Sequence, residues 1–297
     1  FRSMDIWHTC EPEKVGTEGW LGKVIRDLDP TGENVLTGVN FGQGLPRALA
    51  LRGVPVTSVS DLASYGVLSD VPGINNERDR DRMLDLFSRI YAPTIGTGPV
   101  MDYLSHTGRN VLDGADVIRV APETYSSTIE YADNPLAQSL KGIAQVHLAD
   151  IGTRIFYAQI GGFDVHGGQI ATQNSLLETV SRAVSDFFDD LKEHDASEEV
   201  IMLIFSEFGR RVRDNGNGTD HGSGGGAFLV GEKVNGGMYS EYPSLAPEDQ
   251  LNGDLKANHD FRSLYSTILN QWMGINPDPI VNGHFDQFDG LVNASAA

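Results

Sequence analysis

Two apolar runs in the middle of the chain flank an amphipathic stretch. Residues 153–160 (Thr-Arg-Ile-Phe-Tyr-Ala-Gln-Ile) are rich in β-branched and aromatic side chains and run into Gly161-Gly162-Phe163-Asp164-Val165-His166-Gly167-Gly168. That is the pattern of a buried strand ending in a polar loop. Over 169–194, Leu176, Leu177, Val180, Ala183, Val184, Phe187, Phe188 and Leu191 recur at three- and four-residue steps, so a helix packs one face and wets the other. A second run, Val200-Ile201-Met202-Leu203-Ile204-Phe205, stops at Ser206-Glu207-Phe208-Gly209-Arg210-Arg211. Strand, helix, strand predicts a parallel crossover unit. In open parallel sheets ligands gather beyond the carboxyl ends of the strands, which puts Asp164, His166 and Glu207 on one edge. The segment 215–226, with six glycines between 216 and 226, suits backbone that approaches a ligand closely and reads as loop. It carries Asp220 and His221 to the same edge.

The flanking pattern is more helical. Residues 1–11 read as a short mixed helix around Met4, Ile6 and Trp7, and residues 20–28 as a helix ended by Pro30 and Gly32. Residues 35–41 and 48–56 read as short strands between Gly and Pro breakers, and 57–74 as a turn-rich link. A charged helix is expected over 78–92 with Asn75-Asn76-Glu77 at its start, another over 99–121, and a third over 135–150 with Pro135 in its first turn. Ala227-Phe228-Leu229-Val230 reads as a strand, 238–258 as irregular chain, and 261–273 as a last helix capped by Asn258-His259-Asp260 and closed by Gly274. The expectation is an α/β fold with a mostly parallel sheet, a single domain over 1–297 with a helical insertion around 75–150.

Charge narrows the partners. The 297 residues include 22 Lys+Arg against 41 Asp+Glu, a net charge of -19, which argues against electrostatic binding to nucleic acid or to anionic membranes and favours divalent cations. With Cys10 as the one cysteine, neither a disulfide framework nor a thiolate cage forms within one chain. No apolar run of about eighteen residues is present, so no membrane insertion is expected. The chain starts at Phe1 without a methionine, and an N-terminal part of the fold is expected to precede it.

The chemistry concentrates in the polar loops. Asp164 and His166 supply an oxygen and a nitrogen ligand, and Asp220-His221 a second such pair, suited to a divalent metal such as Zn, Mn or iron. The alternatives are that Asp164 caps the helix beginning near Gln169 and that the histidines and Asp220 are surface turn residues. Glu207 ends an apolar strand, where its carboxylate must be solvated, paired or metal-bound. Arg210 is either its partner or, with Arg211, a forked grip on an anionic phosphoryl or sulfuryl group. His106, His147, His194 and His284 stand alone and read as structural or exposed; His8 and His259 are intermediate, and His259 sits with the cap of the last helix, beside Asp260 and Arg262.

Taken together, Gly161-Gly162-Phe163-Asp164-Val165-His166, Ser206-Glu207-Phe208-Gly209-Arg210 and Gly218-Thr219-Asp220-His221-Gly222 resemble the family called domain of unknown function (DUF) 1501. Phe1-Arg2-Ser3-Met4-Asp5-Ile6-Trp7 and Asp260-Phe261-Arg262 look like that family too. It is similar to the alkaline phosphatase and sulfatase superfamily, and the resemblance implies a three-layer α/β/α sandwich. Also implied is metal-dependent hydrolysis of phosphate or sulfate esters, with a small anionic ester as substrate and divalent metal as cofactor, Zn or Mn foremost and Ca as a further candidate. Asp164, His166 and His221 look like the ligands of one metal site. Glu207 falls where the superfamily has an aspartate followed by a histidine, and here Phe208 stands in place of that histidine. A further metal-binding aspartate and the nucleophile are expected upstream of Phe1, with Ser3 and Thr9 as candidates at the edge, so the chain by itself is expected to hydrolyse esters poorly. The resemblance implies a periplasmic or extracellular location. The alternative function is a non-catalytic relative that binds an anion, a glycan or a partner protein.

Overall fold

Strand β1 (Gly38–Phe41) lies at the centre of a parallel three-stranded sheet, with β2 (Thr57–Val59) on one side and β3 (Ile155–Ala158) on the other. This is a computed structural model, and it describes residues 2–60, 62, 77–90, 114 and 117–293. β1 is buried along its whole length, as expected of a strand covered on both faces. Val39, Phe41 and Val59 point into one apolar cluster, built with Leu136, Leu140 and Ile143 of the helix Pro135–Leu148 and Ala183, Phe187 and Leu191 of the helix Gln169–Glu193. Alternate residues of β3 divide between two clusters: Phe156 and Ala158 join the first, while Ile155 and Tyr157 join a second. The second holds Trp20, Val24 and Ile25 of the helix Trp20–Leu28, Tyr265 of Phe261–Thr267 and Ile280 of Asp278–Val281. The two-residue period of the strand thus places helices against both faces of the sheet. The chain is a mixed α/β protein with a small parallel sheet.

Beyond Glu193 the strands depart from the expected unit. β4 (Met202–Phe205) does not join the parallel sheet; it pairs antiparallel with β7 (Ala227–Val230), with Phe205 opposite Ala227. The segment between them, expected as loop, holds a third pair, β5 (Gly209–Asp214) with β6 (Thr219–Gly222), also antiparallel. The physical reason is a local turn: Asn215-Gly216 follows β5, Gly216 takes a φ of 97°, and the Asn215 N–H donates to the Gly218 carbonyl at 2.9 Å. A close hairpin therefore forms before any long-range partner is needed. The strand expected over 48–56 is a short 3₁₀ turn, Arg47–Leu49, and the extended chain begins at Thr57.

Helix ends follow their capping chemistry. The Asn134 side chain accepts from the Ala137 N–H at 3.0 Å, and Asp260 accepts from the Arg262 N–H at 2.9 Å. The last helix runs Phe261–Thr267 and widens into a π turn over Ile268–Trp272 before Gly274 at a φ of 65°. At the N-terminal end, the helix Arg2–Thr9 seats Trp7 between Phe205 and Phe261, ring centroids 5.1 and 4.5 Å away. A charged helix is present at Glu77–Ile90. The link expected over 63–74, the start at Asn75-Asn76 and the expected helix from 99 to 113, with His106, lie outside the described residues.

Candidate metal centre

The segment after β3 and the β5–β6 hairpin meet at three side chains. Asp164 Oδ1 lies 2.8 Å from His221 Nε2 and 3.0 Å from His166 Nε2, and one ligand atom from each of the three lies within 4.8 Å of the other two. Their side chains are 69%, 51% and 36% exposed for Asp164, His166 and His221, so the cluster opens directly to solvent. The two imidazoles stack on each other, centroids 4.8 Å apart. Desolvation would raise the Asp164 carboxyl, but the hydrogen bonds and charges of His221 and His166 prevail and hold it below the usual carboxylate range. Asp164 does not cap the following helix; Gly168 occupies the N-cap position in a left-handed conformation with no side-chain cap.

Glycine makes this close approach of loops feasible. A Cβ on Gly209 would fall 1.7 Å from the Gly224 carbonyl oxygen, and one on Gly218 would meet Gln169 Oε1 at 2.7 Å and the His166 carbonyl at 3.2 Å. Gln169 Oε1 itself accepts from the Thr219 N–H at 2.6 Å and the Thr219 hydroxyl at 2.9 Å, which ties the helix Gln169–Glu193 to β6.

The remaining candidates lie around the triad in other roles. Asp220 stands behind His166: its Oδ1 is 3.4 Å from His166 Nδ1 and accepts from the Asn215 amide at 3.0 Å. The Asn215 amide first, and then His166, hold the Asp220 carboxyl below its ordinary value. Phe208 lies flat on His221, with centroids 3.8 Å apart and planes 8° apart. Arg210 does not pair with Glu207. Its two terminal nitrogens donate to the main-chain carbonyls of Thr219 and Phe163, at 2.7 and 2.6 Å. Glu207 is half-buried and outside the triad. Its charge is felt instead at Tyr157, whose phenol burial, and then Glu207, push up to about 12. Ser3 donates its hydroxyl to the Glu207 main-chain carbonyl, and the Thr9 hydroxyl donates to the Asp5 carbonyl at 2.7 Å.

His8, which the sequence leaves between a structural and a functional role, meets a half-buried tyrosine that the sequence does not connect to it. His8, 6% exposed, has Nε2 3.1 Å from the Tyr157 hydroxyl, and burial lowers its imidazole below the ordinary value against the opposing pull of Asp5. The visible signal was a polar residue in each of two segments that otherwise pack, Trp7-His8 and Phe156-Tyr157.

Comparison with known families is decisive at one level. The family model described as Protein of unknown function (DUF1501) matches residues 103–297. The chain belongs to the DUF1501 family. All three glycine-flanked motifs and the Asp260-Phe261-Arg262 tripeptide fall inside the matched region. No curated protein and no solved structure matches this DUF1501 chain. Among the described residues no helix is long and apolar enough to cross a membrane.

Proposed function

We propose that this DUF1501 protein binds one divalent cation through Asp164, His166 and His221, and that the bound site serves metal-dependent hydrolysis of phosphate or sulfate esters. The observation that carries the reading is the convergence of one carboxylate oxygen and two imidazole nitrogens on an open face. Three protein donors with a free position are the pattern of catalytic rather than structural zinc sites. In a tetrahedral site of that kind donor atoms lie about 3.3 Å apart, so the present spacing needs only small side-chain rotations. His166 fits the ion for a second reason: it has a carboxylate beside each ring nitrogen. A neutral imidazole donates from one nitrogen only. With Nε2 on a cation, Nδ1–H is free to donate to Asp220. Two nitrogen donors suit Zn, Mn or iron and argue against Ca, which takes oxygen.

In the bound site the ion would polarise the ester oxygen and offset the charge that develops there. Asp164 contributes the anionic donor, Asp220 orients His166, and the Phe208 ring shuts water from one face of His221. The α/β/α sandwich of the alkaline phosphatase and sulfatase superfamily is the architecture that goes with this reading, with 75–150 as a helical insertion and export as the location.

One observation favours the non-catalytic alternative. Ser3 and Arg210, candidates for nucleophile and anion grip, both direct their donors at main-chain carbonyls. Turnover of an aryl phosphate and an aryl sulfate by the Zn²⁺- or Mn²⁺-loaded chain separates the two. Hydrolysis is expected to be slow, to rise above a chelated control and to vanish in His221→Ala; metal binding without any metal-dependent turnover would retire the hydrolase and leave the binder.

A further inference from the structure

The Arg210 guanidinium joins the two segments that carry the triad. It reaches the Phe163 carbonyl, one residue before Asp164, and the Thr219 carbonyl, one residue before Asp220 and two before His221. The residue it springs from stands directly opposite His221 in the β5–β6 ladder. Its guanidinium carbon lies 5.3 Å from the centroid of Phe208, the ring that is stacked on His221. We propose that Arg210 is the positioning residue of the triad, holding the Asp164–His166 loop at a set distance from the strand that carries His221, with Phe208 fixing the tilt of the His221 ring. The proposal rests on the metal-site reading above.

Exposure supplies the reason a brace is needed. The three ligand side chains are open to solvent, and exposed ion pairs of this kind contribute too little to hold two loops in register without the ion. The Gln169 bonds tie β6 to the helix Gln169–Glu193, and Asn215 and Asn217 reach the loop at the His166 carbonyl and the Gly168 N–H, whereas Arg210 is the side chain that reaches it on the Asp164 side, at Phe163. Arg210 is half-buried, its planar fork offers donors to two acceptors at once, and an ammonium on a flexible stem does not reproduce that geometry.

The test compares wild type with Arg210→Met and Arg210→Lys in the full chain, with circular dichroism confirming the fold; the Lys variant keeps the stem and charge should the Met variant fail to fold. In metal-free protein the His221 ring protons lie over the Phe208 face, so its ring current shifts their NMR signals upfield. That shift is expected in wild type and expected to collapse in both variants. Zn²⁺ affinity, from chelator competition, is expected to fall about 10–100-fold, with a changed visible spectrum of the Co²⁺ form. Wild-type signals and affinity in the variants, restoration of both by lysine, or a wild type without the upfield shift would each overturn the proposal. If wild type takes up no Zn²⁺ while the ring shift is still lost in the variants, the positioning role stands and the metal reading falls.

Discussion

His166 is the residue on which two carboxylates compete. Asp164 faces Nε2 at 3.0 Å and Asp220 faces Nδ1 at 3.4 Å, and a cation between Asp164 and Nε2 turns the second contact into the outer bond that fixes the ring. Asp220→Asn keeps the volume and the Asn215 neighbour but removes the anionic acceptor. It should weaken Zn²⁺ binding about 10–100-fold, whereas Glu207→Gln should leave metal content unchanged, because the Glu207 side chain stands outside the triad. Equilibrium dialysis of both variants against wild type checks the pair; metal loss from Glu207→Gln alone would reverse the two roles. The letters Asp220-His221 offered both side chains as ligands. Which of them meets the ion and which stands behind depends on the strand alternation of β6, whereas the glycines of that segment read as loop.

At the scale of elements, the helix Gln169–Glu193 is fixed at its two ends by different means. Near its start Gln169 grips β6. Near its end buried Asp190 accepts from the Tyr125 and Tyr131 hydroxyls, both at 2.7 Å, while Glu193 accepts from the Thr128 N–H and hydroxyl. His194 adds a pH-dependent link to the same loop. Its Nδ1 lies 2.8 Å from the Asp190 carbonyl and its Nε2 2.9 Å from the Ser126 carbonyl, and only the protonated ring donates to both. The Asp190 carbonyl foremost, then the Ser126 carbonyl against some desolvation, with the charges of Asp190 and Glu193, raise its value above 6.5. A raised folded value means a contribution fully present below 6.5 and lost as pH climbs through the raised value. Thermal unfolding followed across that window should show wild type losing stability relative to His194→Gln as pH rises, and parallel curves would refute the link. This interplay was closed to sequence reading, because His194 and Ser126 are far apart in the chain. The helix itself was legible from the period of its apolar residues. The β5–β6 hairpin was not, because its many glycines read as loop, although Asn215-Gly216 is a turn signal. The pairing of β4 with β7 was not, since an apolar run is equally compatible with a parallel or an antiparallel neighbour.

For the whole molecule, charge sets a condition on the proposed chemistry. With 41 acidic against 22 basic residues, the protein repels phosphate and sulfate esters at long range, so a cation in the open site is needed before an anionic substrate is held. Strands β1 and β3 were legible from their apolar runs, but β2 falls in a segment that reads as turn-rich link and the run over 200–205 pairs outside the parallel sheet; the triad was legible in two of the three glycine-bearing motifs. The partners that brace the triad were not, because Arg210 bonds main-chain carbonyls, which leave no mark in sequence. The proposed chemistry therefore turns on the ion. Its most direct test is the stoichiometry and affinity of Zn²⁺ on chelator-stripped protein, measured by calorimetry on wild type and on Asp164→Asn, His166→Ala and His221→Ala. One equivalent per chain in wild type, raising the unfolding temperature as ligand linkage requires and lost in each folded variant, is the predicted result; no binding in wild type, or binding that survives in all three variants, would contradict it.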